Sequence, residues 1–211
     1  MIIAGADPGL DGAIAFFDSE AGRLLGIVDM PTAKKATGRR ELLMRVLAVE
    51  VAGTLDGRKC RLIVIERQQP FARGPEGVRG MGAASAFALG ECYASVKMLA
   101  AALAWPTTIV TAQAWKKSFG LPREKEAALA EAGRRMPEDA MLWAIKRGVR
   151  TKATAIGRCE AALIALYAAA IIDCLTVHES LSAPINRDYV ARFLKDARAT
   201  LDYIEKRSAP R

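Results

Sequence analysis

The sequence predicts an α/β fold with a mixed sheet, and three features carry that prediction. Three short apolar stretches at 2–6, 13–17 and 24–30 are joined only by the turn formers PGLDG and DSEAGR. A continuous apolar run, Leu62-Ile63-Val64-Ile65, follows a stretch with helical periodicity. From Ala112 onward the pattern is helical, with 158–175 strongly apolar. Strands in a row, then a helix between strands, then helices alone is the order of a mixed sheet flanked by helices.

In chain order, the first three strands are linked too tightly for a crossover and should form an antiparallel meander. After Pro31 and a basic loop with Lys34, Lys35, Arg39 and Arg40, residues 41–55 carry Leu42, Leu43, Val46, Leu47 and Val51 at helical spacing. The run at 62–65 has no polar face, as in a central parallel strand buried on both sides, and it ends in Glu66. A right-handed crossover through the 41–55 helix lays it beside the first strand and parallel to it. Asp7 and Glu66 then lie side by side at two carboxyl ends. Residues 67–82 read as an Arg- and Gly-rich loop, 83–104 as a long helix of small residues, and 109–110 as a fifth strand. The helical remainder breaks at 120–122, at Pro137 and at 148–154, and 186–206 reads as a mixed-charge terminal helix.

With 211 residues the chain can build one substantial core but not two domains of ordinary size. One domain over 1–177 with a helical extension over 178–211 is expected. Hydrophobic residues make up 52% and aromatics only 6%, so the core must rest on Ala, Leu, Ile and Val, which favours close helix packing over a sandwich. Lys and Arg number 31 against 23 acids, a net charge of +8 that suits a polyanionic partner. Cys60, Cys92, Cys159 and Cys174 form no CxxC pair and read as small buried hydrophobes of a reducing compartment. MIIAGAD does not begin a signal peptide, and the longest apolar run, 161–172, is short of the roughly 20 residues of a membrane span. A cytoplasmic protein with no membrane association is the expectation.

Two carboxylates at neighbouring buried strand ends repel each other, and a sequence that keeps them there usually supplies a cation. Magnesium suits such a place, because it takes hard oxygen ligands and leaves room for waters and phosphates. Glu160 is the third candidate: at helical spacing it shares a core-facing stripe with Ile164 and Tyr167. Plainer readings stand beside these. Asp7 and Asp11 could form an Asx turn about Pro8-Gly9, Glu66 could pair with Arg67 or Arg73, and Glu160 could be a first-turn acid favoured by the helix dipole. The joint order of the three favours a site.

The stretches GADPGLDGAIAFFD at 5–18, LIVIERQQ at 62–69, TAQAWKKSFGLPREKEAALAEAGRRMP at 111–137 and GRCEAALIALYAA at 157–169 resemble the RuvC-type Holliday junction resolvases, within the ribonuclease H-like nuclease superfamily, and especially their phage-encoded branch. The resemblance implies a ribonuclease H-like sheet of five strands, three antiparallel and then parallel ones, flanked by helices. It implies that Asp7, Glu66 and Glu160 bind metal, with two Mg2+ ions, or Mn2+ in their place, activating water against a phosphodiester. The family's fourth ligand, Asp or His one turn before the last acid, is absent here: the position is Gly157. Asp139 or Lys152 could serve instead, and Asp11 falls on no ligand position.

By the same resemblance the chain is a homodimer that nicks two like strands of a four-way DNA junction, leaving 5′-phosphate and 3′-hydroxyl ends. The 83–104 helix could form the interface or simply pack on the sheet. Arg67, Arg73, Arg79, Lys116, Lys117, Lys125 and Lys152 are candidate phosphate contacts, and Phe71 a candidate wedge at the junction centre. Three rivals remain: a nuclease on other branched or RNA-containing nucleic acid, a non-catalytic junction-binding protein, and an actin-like ATPase or sugar kinase. The last needs a second phosphate-binding hairpin, and DPGLDG occurs once.

Overall fold

The computed structural model describes residues 1–36, 38–69, 80–122, 124, 126–144 and 151–176. Its centre is a five-stranded sheet built from β1 (Ile2–Asp7), β2 (Ala13–Asp18), β3 (Arg23–Asp29), β6 (Cys60–Glu66) and β7 (Thr107–Val110). The strands lie in the order β3-β2-β1-β6-β7. The first three form the antiparallel meander, while β6 runs parallel to β1 and β7 parallel to β6. The sheet and the parallel pairing of β6 with β1 are those read from the sequence.

Alternation along the strands decides which helix each residue meets. Ile3, Leu62 and Val64 face the long helix α5 (Lys152–Thr176), in a layer with Trp115, Cys159, Ala161, Leu163 and Ile164. Ile2, Ala4, Ala6, Ile63 and Ile65 face the opposite layer, with Leu47, Val51 and Leu55 of α1 (Met44–Leu55) and Val96, Leu99 and Ala100 of α2 (Ala83–Ala102). Gly5 lets α5 lie almost against β1: a Cβ there would sit 2.2 Å from the backbone nitrogen of Ala165 and 2.4 Å from the carbonyl oxygen of Ala161. By length and composition α5 could cross a membrane, but 83% of its most apolar window is buried in this fold, where it is the core helix of one sheet face.

Several element boundaries differ from expectation. Residues 41 and 42 belong to a two-stranded ribbon of β4 (Thr32–Lys34) and β5 (Arg40–Leu42), so α1 starts only at Met44. Arg40 ties the ribbon down, its Nε donating to Thr32 Oγ1 at 3.0 Å. The polar stretch read as a break at 148–154 contains the cap of α5: Thr151 Oγ1 accepts from the Thr154 amide at 3.2 Å. The helix therefore begins six residues before 158, and Glu160 lies in its third turn rather than its first. β7 gains Thr107 and Thr108, and α2 ends at Ala102, before Ala104 turns to φ +52°. Between α3 (Ala112–Ser118) and α5 come α4 (Ala127–Arg135) and a 3-10 turn at Pro137–Leu142.

Cys60, Cys92 and Cys159 are buried free thiols, and burial pushes Cys60 up to about 12 and Cys92 to about 11. The expected helix at 186–206 and the whole 178–211 extension lie outside the described residues.

Candidate metal centre

Asp7 continues the odd-numbered face of β1 and Glu66 the even-numbered face of β6, so both side chains emerge on the α5 side. The parallel register Ala6↔Ile65 brings them level, one residue further on. Gln68 Nε2 donates to Asp7 Oδ1 at 3.4 Å and to Glu66 Oε1 at 3.5 Å, so one amide reaches both carboxylates. Gln68, two residues past Glu66, is absent from the residues singled out by sequence, and the period of two is the signal that points to it.

β7 leads into α3, whose first turn is capped by Thr111 Oγ1 accepting from the Ala114 amide at 3.3 Å. This start fixes where Trp115 and Lys116 point. The fully buried Trp115 donates its indole Nε1 hydrogen to Glu66 Oε2 at 2.7 Å. Lys116 Nζ, 5.2 Å from the centre of the Trp115 ring, donates to Glu160 Oε1 at 2.6 Å. Trp115, which the sequence presents only as part of a motif, therefore orients one acid and supports the lysine that holds another.

Glu160, Ile164 and Tyr167 are all buried, as the stripe required. Arg158 sets the rotation of α5 from its other side, donating to Asp29 Oδ1 at 2.6 Å, to the Leu142 carbonyl at 2.5 Å and to the Ile27 carbonyl at 3.2 Å. Gly157 faces the first turn of the chain. A Cβ there would lie 2.2 Å from the Asp11 carbonyl oxygen and 2.8 Å from Gly12 Cα, so the position is occupied by the backbone of the β1–β2 turn. That turn is fixed by Gly12 N–H donating to the Gly9 carbonyl at 3.0 Å, and by Arg40, which reaches Asp11 Oδ1 at 2.7 Å and the Leu10 carbonyl at 2.6 Å. Asp11 is a turn residue with an arginine partner.

Asp7, Glu66 and Glu160 line one cleft of about 650 Å³, together with Gln68, Lys116, Lys152 and Glu126. Lys152 lies 2.8 Å from Glu126 Oε1. Asp139 is elsewhere, accepting from the Leu24 amide at 3.0 Å. Arg67 and Lys117 are exposed and do not line the cleft, while Phe71, Arg73, Arg79 and Lys125 lie outside the described residues. Among the described residues no three Asp, Glu, His or Cys groups are close enough to hold one ion together. Asp7 and Glu66 nevertheless form a donor set that suits magnesium, which is commonly bound through one or two carboxylates with phosphate and water completing its shell.

Neither a family model nor a curated protein matches the chain. Solved structures do. The yeast mitochondrial Holliday junction resolvase Ydc2 is 15% identical with a TM-score of 0.50, over 90% of this chain and 83% of that one. Thermus thermophilus RuvC is 18% identical with a TM-score of 0.46, over 83% of this chain and 98% of that one. In complex with a Holliday junction substrate, T. thermophilus RuvC is 13% identical with a TM-score of 0.45, over 81% and 96%. At 15% identity the likeness to the yeast mitochondrial resolvase is one of fold alone, a mixed sheet flanked by helices as the sequence predicts.

Proposed function

We propose that the chain is a metal-dependent endonuclease that cuts branched DNA, with the four-way junction as its substrate. The observation that carries this reading is the pairing of Asp7 and Glu66 at adjacent parallel strand ends, with Glu160 from α5 in the same cleft. Asp7 and Glu66 would hold the divalent ion, which when bound supplies positive charge to a phosphodiester under attack. Trp115 fixes the rotamer of Glu66, Gln68 bridges the two strand-end acids, and Lys116 holds Glu160. The net charge of +8 supports a DNA partner, for which the exposed Arg67 and Lys117 would supply phosphate contacts. A homodimer through the outer face of α2 fits the two symmetric nicks of a junction, since Phe87 and Met98 are 69% and 65% exposed there.

The test is cleavage of synthetic four-way, flapped and linear DNA in Mg2+ and Mn2+, with the dimer checked by sedimentation. Wild type should nick the four-way junction in preference to the others, leaving 5′-phosphate and 3′-hydroxyl ends. Asp7→Asn should lose about 10³-fold or more in rate, roughly 4 kcal/mol of barrier, while still binding the junction. Junction binding with no cutting in either metal would favour the non-catalytic reading, and preference for flaps or RNA-containing duplexes would move the substrate.

A further inference from the structure

The basic stretch after Pro31 has no part in the chemistry of the cleft, yet the fold ties it to the cleft rim. Within 34–41 stand Lys34, Lys35, Arg39 and Arg40 with a single acid, Glu41. In the β4–β5 ribbon the register is Thr32↔Leu42, Ala33↔Glu41 and Lys34↔Arg40. Paired residues share a face and successive ones alternate, so Thr32, Lys34 and Arg40 project to one side and Ala33 and Glu41 to the other. The second side carries an ion pair, with Lys35 Nζ 2.9 Å from Glu41 Oε2. On the first, Arg40 reaches Asp11 Oδ1 at 2.7 Å and the Leu10 carbonyl at 2.6 Å, and Leu10 and Asp11 line the cleft beside Asp7 and Glu66. Lys34 stands directly across the ribbon from that arginine, and both Lys34 and Arg39 are exposed.

The ribbon is closed at both ends. At its base the Leu43 amide donates to the Pro31 carbonyl at 2.8 Å, and toward its tip the Lys35 amide donates to the Arg39 carbonyl at 2.7 Å. Gly38 takes φ +78° in the connecting turn, where a Cβ would meet nothing within 4 Å among the described residues. The tip thus stands clear of them while Arg40 fixes the ribbon to the β1–β2 turn. Cations carried on a fixed ribbon beside a cleft that takes a phosphodiester are matched in charge to the flanking DNA backbone.

We infer that the β4–β5 ribbon is a DNA-binding arm of the cleft: Lys34 and Arg39 contact phosphates flanking the one under attack, and Arg40, bonded to Asp11 and Leu10, positions the arm. Contacts of this kind orient the DNA without reading its bases. This rests on the reading of the cleft as a nuclease site for branched DNA.

Binding of a synthetic four-way junction to the full chain, followed by fluorescence anisotropy over a series of salt concentrations without divalent metal, tests the arm apart from cutting. Lys34→Gln lowers the slope of log affinity against log salt by about 0.9 and Lys34→Gln with Arg39→Gln by roughly 1.8, equally on junctions of different arm sequence. Lys59→Gln removes the same charge from an exposed lysine just before β6, at the end of that strand away from Glu66, and leaves the slope at its wild-type value. Equal slopes for wild type and the double variant, or the same fall in Lys59→Gln, would overturn the inference. Wild type that binds no junction would overturn it together with the proposed function. The expected slopes with no cutting in Mg2+ or Mn2+ would uphold the arm and overturn the endonuclease reading alone.

Discussion

On the sheet side of the cleft, Asp7 and Glu66 stand at the ends of two buried strands, where strand parity and parallel register bring them together. On the helix side, Glu160 reaches the same cleft only because α5 lies close against β1 at Gly5, meets the β1–β2 turn at Gly157 and is held by the buried Arg158. The first pair follows from pattern and hydrogen-bonded ladders. The third acid depends on side-chain volumes, ion pairs and backbone approaches between residues more than a hundred positions apart. A strand-end pair is thus set by backbone pairing, whereas a helix-borne acid moves with its packing.

Gly157→Asp attacks the helix side where it is tightest and should have the largest effect. The new Cβ would meet backbone, the Asp11 carbonyl and Gly12 Cα, which cannot rotate away as a side chain would. Overpacking of this kind costs about 1–3 kcal/mol, a fall in Tm of roughly 2–4 °C for each of those kcal/mol in a chain of this size. Junction cleavage should fall with it, because α5 and Glu160 are displaced. Cleavage above wild type at an unchanged Tm would show instead that the turn yields and that the helix side is as tolerant as the strand ends.

This division also explains how much of the molecule is legible in its sequence. The meander, the crossover and the Asp7–Glu66 pairing follow from periodicity and handedness alone. Glu160 stands out because an acid on the apolar stripe with Ile164 and Tyr167 is out of place there. The start of α5 does not, because Thr151 reads as a break and acts as a cap. Arg158, Gln68 and the Lys116–Glu160 pair are hidden because their partners are set by three-dimensional packing; Arg158 meets Asp29, 129 residues away. Lys116 in particular reads from sequence as one of several candidate phosphate contacts, and it is shielded beside Glu160.

Trp115→Phe sharpens the comparison from the other direction, weakening the strand-end acids through a helix residue. Phenylalanine keeps the edge-on contact with Phe119, whose ring centre is 6.4 Å away, but removes the donor to Glu66 Oε2. Loss of such an orienting hydrogen bond typically costs 10–100-fold in metal affinity. Mn2+ titration should show a weakening of about that size, together with a fall in Tm, because the smaller ring leaves space at a fully buried position. Unchanged affinity would mean that β6 and Gln68 alone orient Glu66.

The smallest expected effect concerns acid. Glu131 on α4, which packs against α5, accepts from Arg134 at 2.8 Å and also pairs with Arg135, whose guanidinium lies 4.5 Å from the Phe119 ring centre. Hydrogen bonding from Arg134, opposed by burial and reinforced by Arg135, pulls its carboxyl down from 4.5 to about 2. A carboxyl lower in the folded than in the unfolded chain gives stability that is complete above the unfolded value and is lost as pH falls toward the folded one. The Tm difference between wild type and Glu131→Gln should therefore be full above pH 4.5 and close progressively toward pH 2. Its size is limited, since Arg134 is 64% exposed and its share is screened by solvent and salt. A difference independent of pH would mean that these ion pairs within α4 contribute little to stability.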